Sequence, residues 1–89
     1  MPEITLTIQH AAGLHARPAA LFVQTANKYK SAIKVQHGER EVNAKSIMGV
    51  LTLGASQGAV VTIRAEGEDA TQALDGLQEL VASNFGEQP

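Results

Sequence analysis

The stretch Gly13-Leu14-His15-Ala16-Arg17-Pro18-Ala19 places a nucleophile and an anion-binding cation two residues apart. An imidazole with an ordinary pKa, about 6.5, is largely neutral at neutral pH and can attack phosphorus. An arginine two positions on suits the same chemistry, because its planar fork pairs two phosphoryl oxygens at once. The resulting P–N bond is reactive, which favours passing the group onward over storing it. A lone histidine or arginine in a turn is usually only a solvated side chain. The weight here comes from His15, Arg17 and Pro18 standing together at a helix start, behind a glycine.

A helix start is what this chemistry needs. Ala19, Phe22, Val23 and Ala26 recur at i, i+3, i+4 and i+7, which is one helical face. Pro18 fits the first turn, where its missing N–H leaves nothing unpaired. The predicted helix runs from near Ala16 to near Lys28. Its first-turn N–H groups lack intrahelical partners, and the dipole adds roughly half a positive charge there. Together these make a ready anion site beside His15.

The remaining elements follow from periodicity. Ile4, Leu6 and Ile8 alternate with polar residues as a half-buried strand does. Ile33, Val35 and Val42 suggest a hairpin turning at Gly38. Ser46 is expected to cap a short helix through Ile47-Met48-Gly49-Val50-Leu51-Thr52-Leu53, with Gly54 as its stop. Gly58 opens a last strand in which Val61, Ile63 and Ala65 share one face. Asp69 is expected to start the final helix as N-cap, in a capping box with Gln72. Ala70, Ala73, Leu74, Leu77 and Val81 form its apolar stripe. The order is β-α-β-β-α-β-α. Cleanly alternating strands have one wet face, so an α+β fold is expected, an antiparallel sheet with all three helices on its other side.

Composition narrows the function. The 89 residues suit one domain, 1–89, with little apolar content to spare for a deep cavity. Seven basic and nine acidic residues, with no run of either sign, lack the basic face that nucleic-acid binding requires. There is no cysteine, and the three histidines have no metal-like spacing, so neither a metal nor a cofactor is expected. His10 and His37 are expected to be surface residues, and Tyr29 and Phe85 to pack at helix ends. The N-terminus does not read as a signal peptide and no segment is long enough to insert in a membrane, so a cytoplasmic location is expected.

Gly13 to Ala19 resembles the phosphorylation-site motif of the HPr family, the histidine-containing phosphocarriers of the bacterial sugar phosphotransferase system. Asn43-Ala44-Lys45-Ser46-Ile47-Met48-Gly49-Val50-Leu51-Thr52-Leu53-Gly54 resembles that family's second signature, around its regulatory serine. The resemblance covers nearly the whole chain. It implies an open-faced β-sandwich, four antiparallel strands with three helices on one face. It implies a carrier, not an enzyme, phosphorylated on His15 Nδ1 by enzyme I at the expense of phosphoenolpyruvate, and passing the group to IIA components of sugar permeases. Arg17 would steady the phosphate, helped by the N–H groups of Ala16 and Arg17. Ser46 would be the target of HPr kinase/phosphorylase, with a catabolite-control transcription regulator as a further partner. One departure is Ala12, where many members carry a small polar residue that can bond near the histidine.

Val50 and Leu53 are expected in the core. A helix this short cannot bury every side chain, so Ile47, Met48 and Leu51 are expected to contribute an exposed docking patch, the adaptable methionine suiting several partners. A monomer is expected. The competing readings are a phosphocarrier of a nitrogen- or carbon-control relay, which the Ser46-Ile47-Met48-Gly49 context disfavours, and a binding module working only through phosphorylated Ser46. His15 argues against the second, because members of that kind lack the active histidine.

Overall fold

In the computed structural model, residues 2–87 are described. Five strand residues, Glu3–Thr7, form β1, and the helix α1 follows at Ala16–Ala26. The hairpin β2 (Ala32–His37) and β3 (Arg40–Asn43) turns at Gly38-Glu39. Then come α2 (Ile47–Leu51), β4 (Val60–Glu66) and α3 (Ala70–Ala82), the predicted order, ending in a single 3-10 turn at Asn84–Gly86. The strands pair antiparallel in the order β1-β4-β2-β3, with Ile4 opposite Ile63 and Val35 opposite both Ile63 and Val42.

The two faces of the sheet differ as the alternation requires. Ile33, Val35, Val61, Ile63 and Ala65 point inward and are buried under the helices. Phe22 of α1 and Leu77 of α3 are fully buried in the same core. Burying side chains of this size stabilises the fold by about 1.5–3 kcal/mol each. The other face is wet. There Arg64 of β4 reaches Glu3 of β1 (2.9 Å), Gln36 of β2 (2.6 Å) and Glu41 of β3 (2.8 Å), tying all four strands from the solvent side. These carboxylates, Glu3 foremost, hold the Arg64 guanidinium above its ordinary pKa.

Several local expectations shift by a residue or two. The first helix stops at Ala26, because Asn27 adopts the C-cap and its side-chain amide bonds back to the Val23 carbonyl at 2.9 Å. The last strand begins at Val60, since the Gly58 N–H is still engaged with the Ile8 carbonyl (2.8 Å). At α3 the capping box is absent. Asp69 occupies the N-cap position and its carbonyl accepts from the Ala73 N–H, but the side chain makes no cap bond. Its carboxylate instead accepts from the N–H groups of Lys30 and Ser31 (2.9 Å each) and from the Ser31 hydroxyl, pinning the start of β2 to the start of α3.

That use of Asp69 has a pH signature. The Ser31 hydroxyl bond, with the Lys30 and Ser31 N–H groups, lowers the Asp69 pKa from 3.8 to about 2. A depressed carboxylate contributes stability above its unfolded pKa and loses it as pH falls through the folded value. The Tm advantage of the wild type over Asp69→Asn should therefore be full above pH about 4 and shrink between pH about 4 and about 2. Thermal melts of both proteins across that range check it; a constant gap would contradict the assignment.

Candidate functional site

Three exposed residues, His15, Ala16 and Arg17, stand between the buried Leu14 and the buried Pro18 and Ala19. The burial on either side fixes the loop. Leu14 is anchored by its N–H to the Ala55 carbonyl (2.7 Å), in the segment that follows α2. Gly13 makes that approach possible: at its φ of +66° an added Cβ would lie 2.6 Å from Ser56 Cα. No side chain larger than hydrogen fits there without moving backbone.

His15 is the N-cap of α1, extended at φ −132° and ψ 167°, and its side chain makes no cap bond. A residue in this position usually turns a side chain onto the N–H groups of the first turn; His15 leaves them free. Among the described residues no acceptor engages the N–H of Ala16 or of Arg17, and Pro18 has none to offer. Ala16 holds φ at +49°, the left-handed region, which costs a non-glycine residue on the order of 1 kcal/mol. Nothing in the residue type announces this conformation. The result is an exposed imidazole next to two unpaired backbone donors at the positive end of an eleven-residue helix.

The Arg17 side chain is 63% exposed, with one terminal nitrogen 3.3 Å from Glu87 Oε2. Glu87 also accepts from His10 Nε2 at 2.7 Å. The His10 hydrogen bond, supported by the Arg17 charge and opposed by partial burial, holds the Glu87 carboxyl below the usual range. His10 is thus no free surface residue, contrary to the sequence expectation. Its side chain is 12% exposed and lies edge-on to Phe85, with ring centroids 5.8 Å apart. His37 is also engaged, Nδ1 lying 3.2 Å from the Leu53 carbonyl. Among the described residues no group of three possible metal ligands comes together.

On α2, Ser46 caps as expected, its hydroxyl accepting the Gly49 N–H at 3.1 Å. Val50 and Leu53 are buried, whereas Ile47, Met48 and Leu51 are 40%, 70% and 37% exposed. The helix is oriented by contacts at both ends. Asn27, at the C-terminal end of α1, bonds the Lys45 carbonyl (3.1 Å), and Ala55 bonds Leu14. The exposed apolar patch therefore runs from beside the far end of α1 back toward His15.

An exposed histidine beside unpaired N–H groups at a helix start, on an open-faced sandwich, is an arrangement suited to carrying a group between partners. Comparison with known proteins specifies the class. The family description "PTS HPr component phosphorylation site" matches residues 2–83. The phosphocarrier protein HPr of Xylella fastidiosa strain Temecula1 is 48% identical over 87 residues, covering 98% of each chain. The crystal structure of HPr-C-His from Thermoanaerobacter tengcongensis superposes with a TM-score of 0.98 at 54% identity, covering 100% of both chains. That of HPr from Bacillus anthracis strain Ames gives 0.87 at 42% identity, over 90% of this chain and 95% of that one. The chain belongs to the HPr family of phosphocarrier proteins.

Proposed function

We propose that His15 takes the phosphoryl group from phosphorylated enzyme I and hands it to IIA components of sugar permeases. The observation that carries this reading is the exposed His15 ring, which makes no hydrogen bond among the described residues, beside N–H groups of Ala16 and Arg17 that no described residue accepts. In the transfer, Nδ1 of His15 attacks phosphorus, a P–N bond forms, and the bond to the donor's nitrogen breaks. The two N–H groups and the Arg17 guanidinium receive the phosphoryl oxygens. Incubation with phosphoenolpyruvate and enzyme I, followed by intact mass measurement, should add one phosphate that is lost in mild acid; no added mass would overturn the reading.

The partners dock on Ile47, Met48 and Leu51, which are exposed on the helix that approaches the histidine. Regulation enters through Ser46, as substrate of HPr kinase/phosphorylase, with a catabolite-control transcription regulator reading the modified form in the cytoplasm. The carrier acts as a monomer. Added phosphate on Ser46 would meet the start of α2 and stabilise it, so inhibition does not come from unfolding. Nor does it come from repulsion at a distance. Ser46 adjoins the C-terminal end of α1, so roughly a helix length, about 16 Å at 1.5 Å per residue, separates it from His15. Two dianions that far apart repel by only about 0.1 kcal/mol after screening. The dianion instead spoils docking, where it meets apolar or acidic partner surface and loses water. Ser46→Asp should therefore raise the KM for this carrier in the enzyme I reaction several-fold, more than it lowers the maximal rate. Initial rates against carrier concentration decide; an unchanged KM with a strongly reduced maximal rate would contradict the docking account.

A further inference from the structure

The sequence holds two sulfur atoms, those of Met1 and Met48, and no cysteine that could intercept an oxidant before them. Met1 lies outside the described residues. Among the described residues Met48 is the most exposed large apolar side chain, at 70%, and it stands between the partly exposed Ile47 and Leu51 on one face of α2. The backbone that presents it is fixed independently of its sulfur. Ser46 caps the helix through the Gly49 N–H, and the Met48 carbonyl accepts the Thr52 N–H at 3.2 Å. Val50 and Leu53 anchor the other side of the segment in the core. A chemical change at the Met48 sulfur therefore alters the surface of α2 and leaves its packing alone.

We propose that Met48 is a reversible oxidation site whose sulfoxide uncouples the carrier from enzyme I. The inference rests on the docking reading above and adds a control to that patch. The oxidant is a hydroperoxide, hydrogen peroxide in the simplest case. A lone pair of the thioether sulfur attacks one peroxide oxygen, and the S–O bond forms as the O–O bond breaks. The proton on the transferred oxygen passes to the departing hydroxide, giving sulfoxide and water, so sulfur is oxidised by two electrons and the peroxide reduced. Return to methionine takes a methionine sulfoxide reductase, in which two thiols become a disulfide and the oxygen leaves as water. The effect at the patch follows from solvation. A thioether is soft and apolar and adapts to an apolar partner surface. A sulfoxide oxygen is a strong hydrogen-bond acceptor, and an apolar surface laid over Ile47 and Leu51 offers it no donor. Docking then strips its water without replacement.

The test treats the purified carrier with hydrogen peroxide, destroys the excess with catalase, and locates the added oxygen by tandem mass spectrometry. One oxygen should appear on Met48 at a rate close to that of free methionine in the same solution. Initial rates against carrier concentration in the enzyme I reaction should then give a KM raised on the order of 10-fold, with the maximal rate and the Tm near those of untreated protein. Incubation with a methionine sulfoxide reductase and dithiothreitol should return the KM to its starting value. Met48→Leu sets its own starting KM, and peroxide should leave that value where it was. Because this variant keeps Met1, it also reports any effect of oxidation there. A Met48 that stays reduced while free methionine is consumed would overturn the proposal. So would a sulfoxide at Met48 with an unaltered KM, or a rise in KM that Met48→Leu shares. Comparison of untreated wild type with Met48→Ala separates the two readings. Equal KM values for these proteins contradict the docking reading and the proposal with it, whereas a raised KM for Met48→Ala beside an indifferent sulfoxide overturns the oxidation switch alone.

Discussion

Arg17→Ala should slow phosphoryl transfer on the order of 10²-fold, the usual effect of removing one donor aimed at charge that develops in the transition state. That is the role proposed for Arg17. Its side chain is mostly in solvent, so its replacement leaves the core untouched and the melting temperature essentially unchanged. Among the described residues it makes one long contact, at 3.3 Å to Glu87, which leaves most of its hydrogen-bonding capacity for a phosphoryl group. An interaction made chiefly in the transition state appears as an equal loss in kcat and kcat/KM. Arg17→Lys keeps the positive charge but not the planar fork, and should fall between the wild type and Arg17→Ala. Steady-state rates of transfer from enzyme I check all three proteins. Unchanged rates for both variants would show that the guanidinium takes no part.

The elements were legible where burial imposes a period. Val61, Ile63 and Ala65 alternate because one face of β4 packs under helices and the other meets water, and a slip of one residue would exchange the faces. Ala19, Phe22 and Ala26 identify α1 for the corresponding helical reason. Ser46 could be recognised as a cap because a hydroxyl before a short apolar run has few other uses. Asp69 was harder to read, since a carboxylate before a helix can cap it or reach across to another element. Here the second wins: three donors on Lys30 and Ser31 outcompete the helix's own N–H groups.

At the site, residue types suggest a chemistry but do not reveal the backbone. Nothing in an alanine foretells the left-handed conformation of Ala16, which the anchoring of Leu14 and Pro18 on either side imposes. His10 and Glu87 are 77 positions apart, in a turn and beyond the last helix, where no periodicity links them. Only the folded chain brings them together.

We propose that His15 alone receives the phosphoryl group. Among the described residues its ring makes no hydrogen bond, while those of His10 and His37 are both engaged through hydrogen bonds. The direct test charges the wild type and the single variants His10→Ala, His15→Ala and His37→Ala with phosphoenolpyruvate and enzyme I, and weighs the intact proteins before and after mild acid. One acid-labile phosphate is expected on the wild type, on His10→Ala and on His37→Ala, and none on His15→Ala. Stable phosphorylation of His15→Ala under the same conditions would contradict it.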